Sequence, residues 1–350
     1  MILKTFRSIA DAKSTDILKL DDISKLRIYA VLLTTLFLLI NWYLGHIFIP
    51  DNSTTELQRR DLGAACALPI ISGFLLFLLP SLHTKAQVSV MQSALTSNSS
   101  IKLARLYARH ISTIPRALFT RALFIGIGIA LSYMLAQGLL YQSDLSINQN
   151  LLRIPIIAQA CTFWSTIIWV MLSLISITIL MTRFTSCHLR IELFHIEDLI
   201  PLANSVFWNT VICAVGLALS PIFWLGGQVP KLDLFIVFTL LIIITFLLFF
   251  PILRVRRIVR KKKSMALDRI RTALKQAVHE SETDKRRLTD SQDRLVMMNN
   301  LVGMREEINR TKEWPLDMPI MARFFLIVIF PPLTWAGASI VDWLVKQVFV

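Results

Sequence analysis

Residues 232–263 read LDLFIVFTLLIIITFLLFFPILRVRRIVRKKK, an apolar block followed directly by a basic one. Residues 254–263 alone hold seven Lys or Arg. A helix that crosses a bilayer needs about 20 mostly apolar residues. Lys and Arg that follow such a helix directly favour the cytoplasmic side. The stretch therefore predicts one membrane span that ends at the inner surface.

Six further apolar blocks of similar length occur on either side of this stretch. The seven predicted spans are 28–50, 62–81, 117–141, 154–182, 203–226, 232–253 and 319–345. The composition agrees, because 55% of the 350 residues are hydrophobic and only 17% are charged, whereas about a quarter is charged in soluble domains. The predicted fold class is an all-α polytopic membrane protein with about seven transmembrane helices.

The distribution of Lys and Arg predicts the orientation of these spans. With the N-terminus inside, 30 of the 37 basic residues fall in inner segments and five in outer ones. Without the long segment 254–318 the ratio is still 13 to 5. Because basic residues are retained on the cytoplasmic side, we predict an N-in, C-out protein of the inner or plasma membrane.

This orientation divides the chain into four predicted regions. They are an N-terminal cytoplasmic amphipathic segment (1–27), a bundle of six spans (28–253), a basic cytoplasmic helical hairpin (254–318) and the last span with a short outer C-terminus (319–350). The N-terminal segment lacks the apolar core of a secretory signal peptide. We therefore expect the first span itself to direct insertion.

The segment 254–318 carries a narrow, coiled-coil-like series of apolar residues. The residues predicted to pack within it are Leu267, Ile270, Leu274, Leu288, Leu295 and Val302. Polar residues interrupt the series near 280–286, and a turn there leaves two arms of about 26 residues, each about 39 Å long. Arms of equal length return the chain to the membrane, which favours an antiparallel hairpin over a single rod.

The basic run at the start of this segment predicts contact with anionic lipid headgroups. Its members are Arg254, Arg256, Arg257, Arg260, Lys261, Lys262 and Lys263. A cation near an anionic leaflet contributes about 1 kcal/mol of binding free energy. No aromatic residues interleave these charges, as a nucleic-acid stacking surface would require, so we expect no nucleic-acid partner.

The last predicted span has the least regular backbone. The residues predicted to form a hinge or line a pathway are Pro331, Pro332, Trp335, Gly337, Ser339 and Asp342. Consecutive prolines remove backbone donors, and the freed carbonyls must then be satisfied by protein or face a wet cavity. A kinked helix packed in the bundle is the alternative. Asp342, the only acidic residue that we assign to an apolar block, either reaches the interface or belongs to the pathway.

Sequence motifs predict neither catalysis nor a cofactor. A Gly-x-Ser-x-Gly elbow and a phosphate-binding loop are both missing from the sequence. His188, Glu192 and His195 have helical spacing that a metal could use, but the surrounding apolar residues favour an amphipathic connector. We therefore predict no enzyme activity, no cofactor and no metal.

Together these patterns favour an oligomeric channel or channel-like sensor, with the last span at the pathway and the hairpin as assembly base. The alternative is a non-transporting scaffold or accessory subunit that recruits a cytoplasmic protein through the hairpin. A facilitator for a neutral solute is a further alternative. The expected partners are anionic lipid, a second copy of the chain and a cytoplasmic protein.

Overall fold

The computed structural model places helices along most of the chain, together with a short pair of strands. The residues that it describes are 17–18, 20–47, 56–97, 99–112, 114–139, 151–187, 199–224, 230–283, 292–310 and 329. Strands β1 (Ile17–Leu18) and β2 (Ile114–Pro115) pair antiparallel. The helices are α1 (Leu20–Tyr43), α2 (Glu56–Thr96), α3 (Ile101–Ser112), α4 (Arg116–Ala136), α5 (Ile154–Cys187), α6 (Ile200–Ala218), a 3-10 turn (Ser220–Trp224), α7 (Lys231–Thr283) and α8 (Gln292–Arg310).

Five of the described helices are long and apolar enough to cross a membrane. The five stretches are Lys25–Tyr43, Arg60–Thr96, Leu118–Ala136, Ile154–Cys187 and Ile200–Trp224. The sixth predicted block forms the first part of α7, which runs on without a break into the basic run. The seventh block, 319–345, lies outside the described residues apart from Ile329. The described part of the chain is thus predominantly helical and has five helices compatible with membrane spans, and the count of seven stays a prediction.

Helix α2 lies at the centre of the bundle and is longer than the sequence predicted. It packs against α1, α3, α5, α6 and the 3-10 turn, and its 41 residues rise about 62 Å. Past the predicted end of the span at residue 81, Leu82, Ala86, Val90 and Ala94 are at most 1% exposed. This four-residue spacing places them on one helix face. The helix therefore continues to Thr96 because its second half is also core, and α2 extends beyond the predicted span 62–81.

Close backbone contacts bring the helices of the bundle together at two glycines. A Cβ atom on Gly126 of α4 would collide with the backbone of Ser165 in α5, and one on Gly63 of α2 would collide with the carbonyl of Phe223. Collisions with backbone cannot be relieved by a side-chain rotation. Glycine is therefore required at both positions by the packing of helix against helix.

A buried polar contact compensates for Pro69, one of two prolines inside α2. Pro69 lacks an N–H group, so the carbonyl of Ala65, four residues earlier, loses its helical donor. Asn41 Nδ2 donates to that carbonyl over 2.7 Å. Asn41 and Gln159 also exchange two hydrogen bonds of 2.9 and 2.8 Å, and their side chains are fully buried. Helices α1, α2 and α5 are thereby held at one point in fixed register.

Helices α7 and α8 pack against each other and run antiparallel. Lys263 Nζ donates to the carbonyl of Asn309 over 2.9 Å. Lys263 lies about 30 Å before the end of α7, and Asn309 lies about 26 Å after the start of α8. The chain between Thr283 and Gln292 spans at most about 30 Å. A parallel pair would need about 56 Å there, so only the antiparallel arrangement closes.

Candidate functional site

A largely apolar cavity of about 200 Å³ lies within the bundle, between α2, α4, α5, α6 and α7. Its walls are mainly aliphatic and aromatic side chains, among them Leu68, Ile71, Phe163, Trp164, Ile167 and Leu240. These residues come from α2, α5 and α7, and the walls belong to the bundle core. The cavity is therefore a partly open recess whose walls belong to the hydrophobic core.

A charged pair lies at one end of the cavity. Arg153 Nε and Nη2 donate to the two carboxylate oxygens of Asp61 over 3.0 and 3.1 Å. The two side chains are only 9% and 15% exposed. Bidentate pairing of this kind fixes the plane of the guanidinium group. Arg153 directly precedes α5 and Asp61 lies near the start of α2, so the pair joins the two helices at that end.

A second charged network completes this end of the cavity. The Tyr133 hydroxyl accepts from Arg60 Nη2 over 2.9 Å and donates to Asp233 Oδ1 over 2.6 Å. Trp224 Nε1 donates to the other oxygen of Asp233 over 3.2 Å, and Arg60 Nη1 donates to Gln137 over 3.2 Å. The network therefore joins the ends of α2, α4, the 3-10 turn and α7.

We define the polar rim as Arg60, Asp61, Tyr133, Arg153, Trp224 and Asp233, all of which line the cavity. Every member lies at or near the end of its helix or turn. Asp233 occupies the first turn of α7, where the helix dipole favours a negative charge. Two arginines and two aspartates balance, so the rim carries no net formal charge.

An open groove between α4 and α7 runs alongside the cavity. Its walls include Gly128, Ser132, Phe235 and Thr239. Four residues, Tyr133, Trp164, Ile236 and Leu240, line both the groove and the cavity. The groove and the cavity therefore share part of one wall.

The predicted lipid-contact residues lie on α7 where it leaves the bundle core. Val255 and Val259 are at most 8% exposed and belong to the main core cluster. Arg254, Arg257, Arg260 and Lys261 are exposed, while Arg256, Lys262 and Lys263 are partly buried. At 100° per residue, the four exposed cations fall on the side of α7 opposite the two valines. The basic run thus has one face in the protein and one face outward.

The predicted packing residues of the hairpin differ in burial. Ile270 is buried, Leu267 and Leu274 are half-buried, and Val302 is 49% exposed. Leu288 and the side chain of Leu295 lie outside the described part of the structure. Among the side chains of α8 that the structure describes, Ile308 is buried, at 4% exposure.

Two sets of predicted residues remain untested. The hinge or pathway candidates Pro331, Pro332, Trp335, Gly337, Ser339 and Asp342 lie outside the described residues. The segment that contains His188, Glu192 and His195 does so too. Within the part of the chain that is described, no group of three His, Cys, Asp or Glu side chains could hold a metal ion.

Sequence reasoning missed the polar rim. Arg60, Asp61 and Arg153 were assigned to outer loops or block edges. Asp342 is not the only acidic residue within an apolar block, as was predicted, because Asp233 lies inside the block 232–253. The sequence nevertheless contains a signal for the rim. Opposite charges occur at the ends of several apolar blocks, and the predicted topology brings these ends to the same side of the membrane.

The arrangement provides an apolar chamber with hydrogen-bonding groups at one end. Such sites bind small molecules through apolar contact and orient them through a few polar groups. The described rim contacts are ion pairs and hydrogen bonds between side chains of different helices. In comparisons with known proteins, the chain matches no family model, no curated protein and no solved structure.

Proposed function

We propose that this protein is a membrane-embedded, channel-like sensor whose bundle cavity binds a small apolar molecule. The observation that carries the proposal is the cavity of about 200 Å³ with apolar walls and a polar rim. Ordinary protein interiors are packed with few voids larger than a water molecule. A recess with apolar walls and a few polar groups is a common form of ligand site, which favours a binding role.

We further propose the seven-span, N-in, C-out arrangement for this sensor, in the inner or plasma membrane. The excess of Lys and Arg in the predicted inner segments supports it. The last span, 319–345, would provide the pathway, and the α7–α8 pair would provide the base through which copies of the chain assemble. A ligand in the cavity touches α7, which continues into that base, so binding and assembly are mechanically connected.

Ligand-dependent stabilisation tests the binding step. Purified protein in lipid nanodiscs should show a higher Tm when small apolar compounds such as cumene are added. Filling the cavity with Ala160→Phe should abolish this rise, because Ala160 lines the cavity. The matched control is Ala136→Phe, since Ala136 is exposed on α4. An equal Tm rise in both variants would contradict the cavity as the binding site.

Conductance and oligomeric state test the channel step. Reconstituted protein should form oligomers and conduct ions across planar bilayers when the cavity ligand is present. Deleting residues 264–312 should reduce the oligomer to monomer. A protein that stays monomeric and silent in bilayers would contradict the channel while leaving the binding role intact.

A second candidate function, recruitment of a cytoplasmic protein, is favoured by the surface of α8. Four apolar side chains, Val296, Met297, Val302 and Met304, are 49–55% exposed there. Exposed apolar patches often mark interaction sites. The two roles differ in a crosslinking experiment on intact cells. Crosslinks from position 297 should reach a second copy of the chain if α8 is an assembly base, and a different protein if it is a recruitment site.

A further inference from the structure

We propose that the ligand of the cavity is a neutral molecule with one hydrogen-bond acceptor, and that Arg153 Nη1 is the donor that binds it. This inference rests on the proposed binding function and specifies its ligand class. Among the described residues, Nη1 of Arg153 has no hydrogen-bond partner, although it is shielded from solvent. Arg153 itself lines the cavity.

The pairing of Arg153 with Asp61 explains why Nη1 has no hydrogen-bond partner among the described residues. The carboxylate takes Nε and Nη2, which lie on one edge of the planar guanidinium group. The N–H bonds of Nη1 point away from that edge. Since the ion pair fixes the plane of the group, Nη1 cannot turn to share the carboxylate without breaking one of the two bonds. A buried donor without an acceptor is unfavourable, and a ligand oxygen would remove that cost.

The charge balance of the rim selects a neutral ligand. Arg153 is paired with Asp61, and Arg60 and Asp233 both bind the Tyr133 hydroxyl. A carboxylate ligand would therefore add an uncompensated negative charge to an apolar chamber, which is strongly unfavourable. An ammonium ligand would find no unpaired carboxylate among the described rim residues. A ketone, aldehyde, ester or ether oxygen fits both conditions.

The cavity volume sets the size of this ligand. An engineered apolar cavity of about 150 Å³ in another protein binds benzene. The present cavity, at about 200 Å³, has room for one ring with a short substituent, or for a branched aliphatic molecule of similar volume. Acetophenone is a suitable probe. Cumene is close to it in shape but has no acceptor, and benzoate has the same frame with a negative charge.

Equilibrium dialysis against nanodiscs measures the three affinities, with empty nanodiscs giving the correction for partition into lipid. Acetophenone should bind at least about tenfold more tightly than cumene, because a hydrogen bond from a charged donor is worth that ratio or more. Benzoate should bind most weakly. Equal binding of acetophenone and cumene would overturn the role of Nη1, and tightest binding of benzoate would overturn the neutral ligand.

Arg153→Lys isolates the donor, since lysine retains the positive charge beside Asp61 but lacks the planar fork. The preference for acetophenone over cumene should fall to about one in this variant, and Arg310→Lys, at an exposed position, should retain the wild-type preference. If Arg153→Lys does not fold, the charge-neutral pair Arg153→Met with Asp61→Leu gives the same comparison. If the wild type binds cumene and acetophenone equally well, this inference is contradicted while the proposed binding function stands. Failure of all three probes to bind the wild type contradicts the proposed binding function as well.

Discussion

The polar rim and the α7–α8 pair are both rich in charge, but they use it in opposite ways. In the rim, each Arg binds an acceptor from another segment of the chain, as in the pair Arg153–Asp61. On α7 and α8, the ion pairs Arg271–Asp268 and Arg310–Glu306 join neighbours on one helix and are more than 60% exposed. Charge therefore fixes the relation between helices in the rim, whereas these two ion pairs on α7 and α8 each lie within one helix and face outward.

The strongest test of this difference removes one member of the buried pair. Arg153→Ala leaves Asp61 ionised and unpaired beside an apolar cavity, so the free energy of unfolding should fall by about 3–5 kcal/mol. Thermal or denaturant unfolding of the purified protein measures it. The control is Arg153→Met combined with Asp61→Leu, which removes both charges and should recover most of the loss. If Arg153→Ala lowers the free energy of unfolding by less than about 1 kcal/mol, the Arg153–Asp61 pair contributes no more than an ion pair on the surface.

The buried amide pair extends the comparison to uncharged groups. Asn41→Leu removes the donor for the Ala65 carbonyl and leaves the Gln159 amide without its partner. Each buried group left unsatisfied costs about 1–3 kcal/mol. Adding Pro69→Ala should recover part of the loss, because an alanine N–H can bond the Ala65 carbonyl again. No recovery in this double variant would show that Asn41 does not act through that carbonyl.

Two glycine substitutions test how tightly the two regions are packed. Gly126→Ala should destabilise the bundle by about 1–3 kcal/mol, because the added methyl group meets the Ser165 backbone. A methyl group added at Gly303 of α8 would meet no atom of the described chain within 4 Å. Gly303→Ala should therefore raise stability by about 0.5–1 kcal/mol through helix propensity alone. Opposite signs in unfolding measurements confirm the contrast, and a loss at both positions would show that α8 is packed as closely as α4.

The sequence predicted the apolar helices better than it predicted the site between them. Span-length blocks and the placement of cations depend on local composition, so most helices were recovered. The continuation of α2 past residue 81 was not predicted because polar residues such as Lys85, Gln87 and Gln92 lower the hydropathy of that stretch, although Ala86 and Ala94 on the same stretch pack in the core. The pairing of Asp61 with Arg153 joins residues 92 positions apart. Such a contact follows from the lateral arrangement of helices, which composition does not encode.

The basic run provides a test of the outward-facing charge. Arg254, Arg257 and Arg260 replaced together by Gln should reduce the stabilisation that phosphatidylglycerol confers relative to phosphatidylcholine. The expected loss is about 1 kcal/mol for each cation near the lipid surface, measured as the difference in Tm between the two lipids. The control replaces the exposed residues Arg269, Arg271 and Lys275. These lie at least 14 residues further along α7 than their counterparts, about 21 Å or more, and the Debye length is about 8 Å. Equal effects of the two triple variants would contradict a lipid contact specific to the start of the run.

The smallest effect is expected for the exposed ion pair on α8. Arg310 Nη2 lies 2.7 Å from Glu306 Oε1, with side chains 78% and 63% exposed. Solvent screens such a pair, and pairs four residues apart on a helix contribute about 0.3–0.5 kcal/mol. A double-mutant cycle with Arg310→Gln and Glu306→Gln should therefore give a coupling energy in that range, which high salt removes. A coupling energy above about 1.5 kcal/mol would show that α8 is shielded from solvent in the assembled protein, because exposed pairs do not reach that value. Arg310 and Glu306 would then be exposed only in the single chain, and another chain would bury them in the assembly. The rim and α8 would then differ only in whether the same chain or another chain buries the charges.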